Sequence, residues 1–170
     1  MYFKESFIIP DEWDDLPRVG IQFEVPGHYS LLEWFGRGPL ESYPDRYRSQ
    51  LVSKWHSQIS QQYHPYVLPQ ENGAHQDTKW FKLKSETEEE IIFHIPNADS
   101  FSASYVHDKD LTEALKISDI CDRTNSEVHI DAAIRGLGTG ACGPDTLSEF
   151  RLSPGAYQIL WILQVSSSKP

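Results

Sequence analysis

The stretch VHIDAAIRGLGTGACGPD, residues 128–145, joins an apolar segment typical of a β-strand to a glycine-rich loop. Four of the chain's ten glycines fall within Gly136–Asp145. Glycine adopts positive φ angles and allows close backbone approach, but it loses much conformational entropy on folding. The path of this loop must therefore be fixed by structure around it. A phosphate-binding loop is not indicated, because no Lys-Ser/Thr pair follows and no helix is predicted to open there.

Alternating apolar residues predict strands along most of the chain. In residues 19–25, apolar side chains alternate with glycine, glutamine and glutamate, the period of a half-buried strand. Further strands are predicted at 2–9, 29–35, 78–84, 91–96, 101–105 and 128–134. The aromatic content of 12% favours a β core over a helical bundle. We expect an all-β domain at residues 1–165 and a disordered tail at 166–170.

Four segments are harder to interpret. Residues 47–62 are polar with weak apolar spacing, and a short helix or an irregular surface crossing fits them equally well. Residues 108–116 open with acidic residues and are the best helix candidate. The segment 147–152 after the glycine loop is strand-like. The segment 156–165 is nearly all apolar, which predicts a terminal strand buried on both faces.

Composition excludes several classes of partner. The formal net charge of −10 argues against nucleic acid, which requires clustered Lys and Arg. No apolar run approaches the 18 residues typical of a membrane-spanning helix, and we expect no signal peptide in the first ten residues, whose apolar run is too short. The two cysteines, Cys121 and Cys142, fit a reducing compartment, with a single disulfide between them as the alternative. We therefore expect a cytoplasmic protein.

Catalytic motifs are not evident. None of the seven histidines has the spacing of a zinc site, no GxSxG motif is present, and the sequence nominates no base for Cys142. A glycosidase needs two carboxylates flanking one bond, and nothing selects a pair. The carboxylates near predicted turns are Glu33, Glu41, Asp45, Glu71, Asp77, Asp131 and Asp145. We expect them to hold arginines and backbone amides, and we expect no cofactor in this chain.

Two arginines and two acids are interleaved in GRGPLESYPDR, residues 36–46. Arg37 and Arg46 bracket Glu41 and Asp45 in an aromatic segment. This pattern predicts a buried, bidentate ion-pair network, because the guanidinium fork matches a carboxylate. Such a network specifies a fold more readily than it performs chemistry.

Four ordered motifs resemble one protein family. They are LPRVG at 16–20, WFGRGPLESYPDR at 34–46, YHPYVLPQENG at 63–73, and the Ile130-Asp131 pair followed by GLGTGACGPD at 136–145. Together they resemble signatures of the C-terminal domain of the β-galactosidases of glycoside hydrolase family 2. The resemblance extends over about residues 16–155.

The resemblance implies an antiparallel β-supersandwich related to the galactose-mutarotase fold, of which this chain would be the last part. In the family the two catalytic glutamates belong to a TIM barrel, which needs about 250 residues. This chain would then have no catalytic residues and be inactive alone. Its expected partners are the catalytic region or large subunit, a galactoside such as lactose, and further subunits of an oligomer.

The resemblance also places the glycine loop at the substrate mouth. The substrate-binding residues that it implies are Thr139, Gly140, Ala141, Cys142 and Gly143. Some members have a tryptophan where this chain has Cys142, and that tryptophan stacks on the non-galactose part of the substrate. A thiol offers no stacking face, so we expect weaker aglycone stacking here.

Three alternative functions are compatible with the sequence. A free-standing carbohydrate-binding module would use exposed aromatic residues such as Trp13, Trp55 or Trp80. A purely structural subunit would have no contact with sugar. A mutarotase-type epimerase rests on fold analogy alone and would need a His/Glu pair that the sequence does not place.

Overall fold

The computed structural model describes residues 1–139 and 143–166. In these residues the chain forms ten strands, a six-residue helix and three 3-10 turns. The strands are β1 (Tyr2–Ile9), β2 (Arg18–Val25), β3 (Leu31–Gly38), β4 (Leu51–Gln58), β5 (His75–Gln76), β6 (Trp80–Lys84), β7 (Glu90–His94), β8 (Ser100–Ser104), β9 (Ser126–Ile134) and β10 (Gly155–Ser166). The helix, α1 (Asp108–Glu113), lies between β8 and β9.

The strands form two antiparallel sheets, which confirms the all-β prediction. One sheet has six strands in the order β1-β10-β7-β6-β3-β4, and the other has four in the order β2-β9-β8-β5. No helix in the described part of the chain is long and apolar enough to cross a membrane.

Stacked aromatic rings join the two sheets. Phe81 of β6 stacks on Phe101 of β8, with ring centroids 4.2 Å apart and planes 7° from parallel. Phe81 also stacks on Phe93 of β7, at 4.5 Å. Trp34 and Ile130 are buried in the same core. Large rings bury the most apolar area per residue, so a core between a six-stranded and a four-stranded sheet suits this aromatic-rich sequence.

The segment 47–62 is neither a helix nor an irregular crossing. It contains β4 and a 3-10 turn at Ile59–Gln61. β4 is the outermost strand of its sheet and pairs with β3. Its residues are largely exposed, Leu51 by 71% and Val52 by 47%. An edge strand with so much solvent contact needs few apolar side chains, which explains why the alternation was weak.

The terminal strand is not buried on both faces, contrary to the prediction. Ile159 is fully buried, but its neighbour Leu160 is 42% exposed and Val165 is 64% exposed. The four-stranded sheet covers only one face of the larger sheet, which leaves the other face of β10 in contact with solvent in this chain. Ser166, predicted to lie in the tail, is the last residue of β10, and residues 167–170 lie outside the described part.

Other boundaries also differ from the prediction, and the strand predicted at 29–35 runs from Leu31 to Gly38. The helix predicted at 108–116 ends at Glu113. The strand-like segment 147–152 instead forms a 3-10 turn at Ser148–Phe150, followed by an isolated bridge between Leu152 and Leu16.

Candidate functional site

The glycine loop begins where β9 ends, and the carboxylate of Asp45 fixes its start. Asp45 Oδ1 accepts a hydrogen bond from the backbone N–H of Leu137 at 2.9 Å, and Oδ2 accepts one from Gly138 at 2.7 Å. Gly138 has a φ of +66°, and a β-carbon there would lie 2.8 Å from the backbone nitrogen of Thr146. Only glycine fits this conformation without strain, so the residue is required by the path of the loop.

Arg135, which directly precedes the glycine loop, makes hydrogen bonds to two carboxylates. Its Nε and Nη2 donate to the two carboxylate oxygens of Asp15 at 2.6 and 2.8 Å, and Nη2 also donates to Asp145. The hydrogen bond from Arg135 lowers the pKa of Asp15. Nearby, Thr139 Oγ1 donates to the carbonyl of Pro144 at 2.9 Å. The two ends of the loop are therefore tied together and to the sheet.

Of the predicted substrate-binding residues, Thr139 and Gly143 are described, and both are exposed at the neck of the loop. Gly140, Ala141 and Cys142 lie outside the described residues. The structure therefore describes only the two residues that flank the centre of the predicted rim. Cys121, the other cysteine, is an exposed free thiol.

The predicted ion-pair network is divided among separate partners. Arg46 contacts Glu41, as predicted. Arg37 instead pairs with Asp77, with 2.6 Å between Nε and Oδ2, and Asp45 binds the backbone of the glycine loop. Sequence proximity suggested that the four residues pair with one another, but the turns after β3 direct them to different parts of the fold.

A second polar cluster was not predicted from the sequence. Glu127, His129 and Asp131 alternate along β9 with the core residues Val128 and Ile130, so they share the face of the four-stranded sheet that is turned away from the core. All three are nonetheless buried. The pattern E-V-H-I-D was the available signal, because charged residues alternating within an apolar strand need partners on that face.

These partners come from three other parts of the chain. Arg18 of β2 donates from Nη2 to Glu71 Oε1 at 2.8 Å. Its Nη1 lies 3.6 Å from Asp108 Oδ2, and its Nε lies 3.6 Å from Asp131 Oδ1. His129 Nε2 lies 3.2 Å from Glu127 Oε1. We call Arg18, Glu71, Asp108, Glu127, His129 and Asp131 the charged cluster.

Burial and hydrogen bonding change the pKa values of its carboxyl groups in opposite directions. Burial raises the pKa of Glu71 to about 7, although Arg18 opposes this. Burial also raises the pKa of Asp131. For Glu127 burial acts the same way, but hydrogen bonds from His129 and from the backbone of Asp108 outweigh it and lower the pKa to about 2. Glu127 is therefore the carboxylate most firmly held in its charged form.

The charged cluster supplies the His/Glu pair that an epimerase would require, but it has no room for a sugar. The cavity beside Glu127 and His129 has a volume of about 10 Å³, enough for a single water or ion. Of the tryptophans considered for sugar stacking, Trp13 is 56% exposed, whereas Trp55 and Trp80 are half-buried.

The chain is similar to known β-galactosidases along most of its length. A family model described as "Beta galactosidase small chain" matches residues 3–163. The β-galactosidase of Kluyveromyces lactis is 37% identical over 139 residues, which cover 81% of this chain and 13% of that protein. The enzymes of an Arthrobacter species and of Vibrio cholerae are 31% and 32% identical, over 85% and 91% of this chain. The chain spans about 15% of the length of these two relatives. The motifs, the two antiparallel sheets and the family match lead to one conclusion: the chain belongs to the β-galactosidase small-chain family.

Proposed function

We propose that this chain is a non-catalytic part of a β-galactosidase, bordering the substrate mouth and supporting assembly. The complete enzyme would hydrolyse terminal β-D-galactosides such as lactose. The relatives named β-galactosidase are several times longer than the segment that they share with this chain, so most of such an enzyme lies outside that segment. A catalytic barrel of about 250 residues would have to be among those other parts.

The observation that carries the proposal is the attachment of Asp45 to the glycine loop. This carboxylate comes from the GRGPLESYPDR motif and accepts both amide hydrogen bonds at the start of the loop. Two of the motifs that resemble the family are therefore in direct contact. A loop held rigidly at its neck, with exposed residues Thr139 and Gly143 at either side, suits a rim that another domain completes.

A chimeric enzyme tests this proposal. The matching segment of the Kluyveromyces lactis β-galactosidase would be replaced by this chain, and hydrolysis of lactose and of a chromogenic galactoside would be measured. We expect the chimera to be active and the isolated chain to be inactive. A chimera that folds and assembles but has no activity would contradict the supporting role. Turnover by the isolated chain that persists through repurification would contradict the non-catalytic role.

The role of the rim is tested separately by Cys142→Trp in the same chimera. An added indole face should lower KM for substrates with a large aglycone and leave hydrolysis of small galactosides unchanged, since stacking acts only on the part beyond galactose. Leu147→Trp is the matched control, because Leu147 is exposed and lies just beyond the loop. Equal effects of the two substitutions, or no effect of Cys142→Trp, would show that this position does not face the aglycone.

A further inference from the structure

Three side chains of the charged cluster have the geometry of a metal site. Asp108, Glu127 and His129 each offer one ligand atom, and these atoms all lie within 4.8 Å of one another. His129 Nε2 is 3.2 Å from Glu127 Oε1 and 3.6 Å from Asp108 Oδ2. Around a tetrahedral ion with bonds of about 2.0–2.1 Å, ligand atoms are separated by roughly 3.3–3.4 Å. The two separations that involve His129 are close to this value, and all three ligand atoms lie within 4.8 Å of one another.

The cluster does not satisfy its own charges. The cluster contains four carboxylates, and its guanidinium, Arg18, lies near three of them, Glu71, Asp108 and Asp131. Asp131 is fully buried, yet its Oδ1 has no hydrogen-bond partner among the described residues, and neither does Arg18 Nη1. The separations of 3.6 Å from Arg18 to Asp108 and to Asp131 are too long for hydrogen bonds. Buried carboxylates without full compensation are costly, which favours the binding of a cation beside them.

A cavity of suitable size adjoins the three side chains. Its volume is about 10 Å³, and its lining includes Asn72, Ser102 and Ser104 in addition to the three candidate ligands. Ser102 lies opposite His129 and Ser104 opposite Glu127 in the pairing of β8 with β9. A space of this size holds one ion or one water molecule, and the amide and hydroxyl groups are polar donors and acceptors for an ion's remaining ligands.

We propose that Asp108, Glu127 and His129 bind one divalent metal ion of the zinc class, with a fourth coordination position directed to the cavity. Imidazole nitrogen and carboxylate oxygen are both ligands of zinc, and the imidazole favours a transition metal over Mg²⁺ or Ca²⁺. In the metal-free chain His129 Nε2 lies within hydrogen-bonding distance of Glu127 Oε1. On binding, a proton on Nε2 passes to solvent and the nitrogen lone pair coordinates the ion. The ion would join α1 to β9 and reduce the excess negative charge around Asp131.

The proposal goes beyond the proposed function and does not depend on it, so it is tested with the isolated chain. Zn²⁺ would be titrated calorimetrically into chelator-treated protein, and thermal unfolding would be followed with and without the ion. We expect saturable binding of one ion per chain, reversed by a chelator, and a higher unfolding temperature, because an ion that binds the folded state stabilises it. Co²⁺ should bind competitively and give the visible absorption of a low-coordinate site.

Two variants and a control locate the ion. Asp108→Asn changes a side chain that is 43% exposed, so it should fold normally, and Glu127→Gln changes a second ligand. Each should weaken zinc binding by at least about tenfold, since losing even an outer partner of a metal site costs that much. Glu89→Gln is the control, because Glu89 faces His28 at 3.7 Å in an exposed pair and should leave binding unchanged.

Three results would contradict the proposed metal site. Absence of saturable binding to the parent chain would mean that the cavity holds only water. Binding that survives Asp108→Asn unchanged would place the ion elsewhere on the chain. A loss with Glu89→Gln equal to that with Asp108→Asn would show nonspecific attraction to acidic groups. If Glu127→Gln does not fold, Asp108→Asn decides the matter alone.

Discussion

The neck of the glycine loop and the charged cluster differ in how completely their charged groups are hydrogen-bonded. At the neck of the glycine loop, Asp45 and Arg135 make short hydrogen bonds to backbone amides and to partly exposed carboxylates. In the charged cluster, Arg18 lies 3.6 Å from Asp108 and Asp131, and neither Arg18 Nη1 nor Asp131 Oδ1 has a hydrogen-bond partner in the part of the chain that the structure describes. The first region fixes a backbone path. The second places several carboxylates around a single guanidinium, Arg18.

The largest expected loss of stability follows from replacing Arg18, the guanidinium of the charged cluster. Arg18→Met should destabilise the chain by about 3–5 kcal/mol, because it leaves buried carboxylates without their partner. Arg135→Met should cost clearly less, since its partners Asp15 and Asp145 are 24% and 59% exposed and can be hydrated. Urea unfolding of both variants measures the difference. Equal losses would show that the two regions do not differ in this way.

A smaller effect is expected at the loop neck. Asp45→Ala removes the acceptor of two backbone hydrogen bonds and should cost about 1.5–3 kcal/mol, the range for hydrogen bonds to a charged group. Hydrogen exchange at the amides of Leu137 and Gly138 should become faster than in the parent chain. Asp45→Asn keeps one acceptor oxygen and should give an intermediate result. Unchanged exchange at both amides would mean that the loop is held by other contacts.

A third effect concerns the dependence of stability on pH. Glu71 has its pKa raised from 4.5 to about 7 in the folded chain, so the folded state binds this proton more tightly than the unfolded state does. The stability that the group contributes is complete below about pH 4.5 and is lost as pH rises through about 7. Relative to Glu71→Gln, the parent chain should therefore lose stability across this range.

The stability contributed by Glu71 and that contributed by Glu127 change with pH in opposite directions. The lowered pKa of Glu127, about 2, gives stability that is present above pH 4.5 and disappears only as pH falls through about 2. Unfolding in urea at a series of pH values measures both effects. A parent chain that becomes more stable than Glu71→Gln between about pH 4.5 and 7 would contradict the assignment for Glu71.

The sequence was sufficient for the fold where strands have one buried face. The alternation in residues 19–25 predicted β2, because a strand packed on one side must alternate. It failed for β4, whose edge position removes the need for apolar residues. It also failed for β10, since an apolar sequence does not show whether a second layer covers both faces within this chain.

The site was harder to predict from the sequence than the fold, because its contacts join residues that are far apart in the chain. Asp45 was expected to pair with an arginine nearby, but it binds amides 92 and 93 residues away. The charged cluster combines β2, the loop before β5, α1 and β9, and no spacing rule reveals such a combination. Only the alternation of Glu127, His129 and Asp131 within an apolar strand indicated that polar partners must lie there.

We propose that the neck of the glycine loop supports the substrate mouth and that the charged cluster has no part in it. The most direct test compares kcat/KM for lactose in the chimeric β-galactosidase carrying either Asp45→Ala or Asp108→Asn. We predict that Asp45→Ala lowers kcat/KM about tenfold or more, because small misplacements near a site have large effects on rate, and that Asp108→Asn leaves it nearly unchanged. Full activity with Asp45→Ala, or a loss confined to Asp108→Asn, would contradict this account.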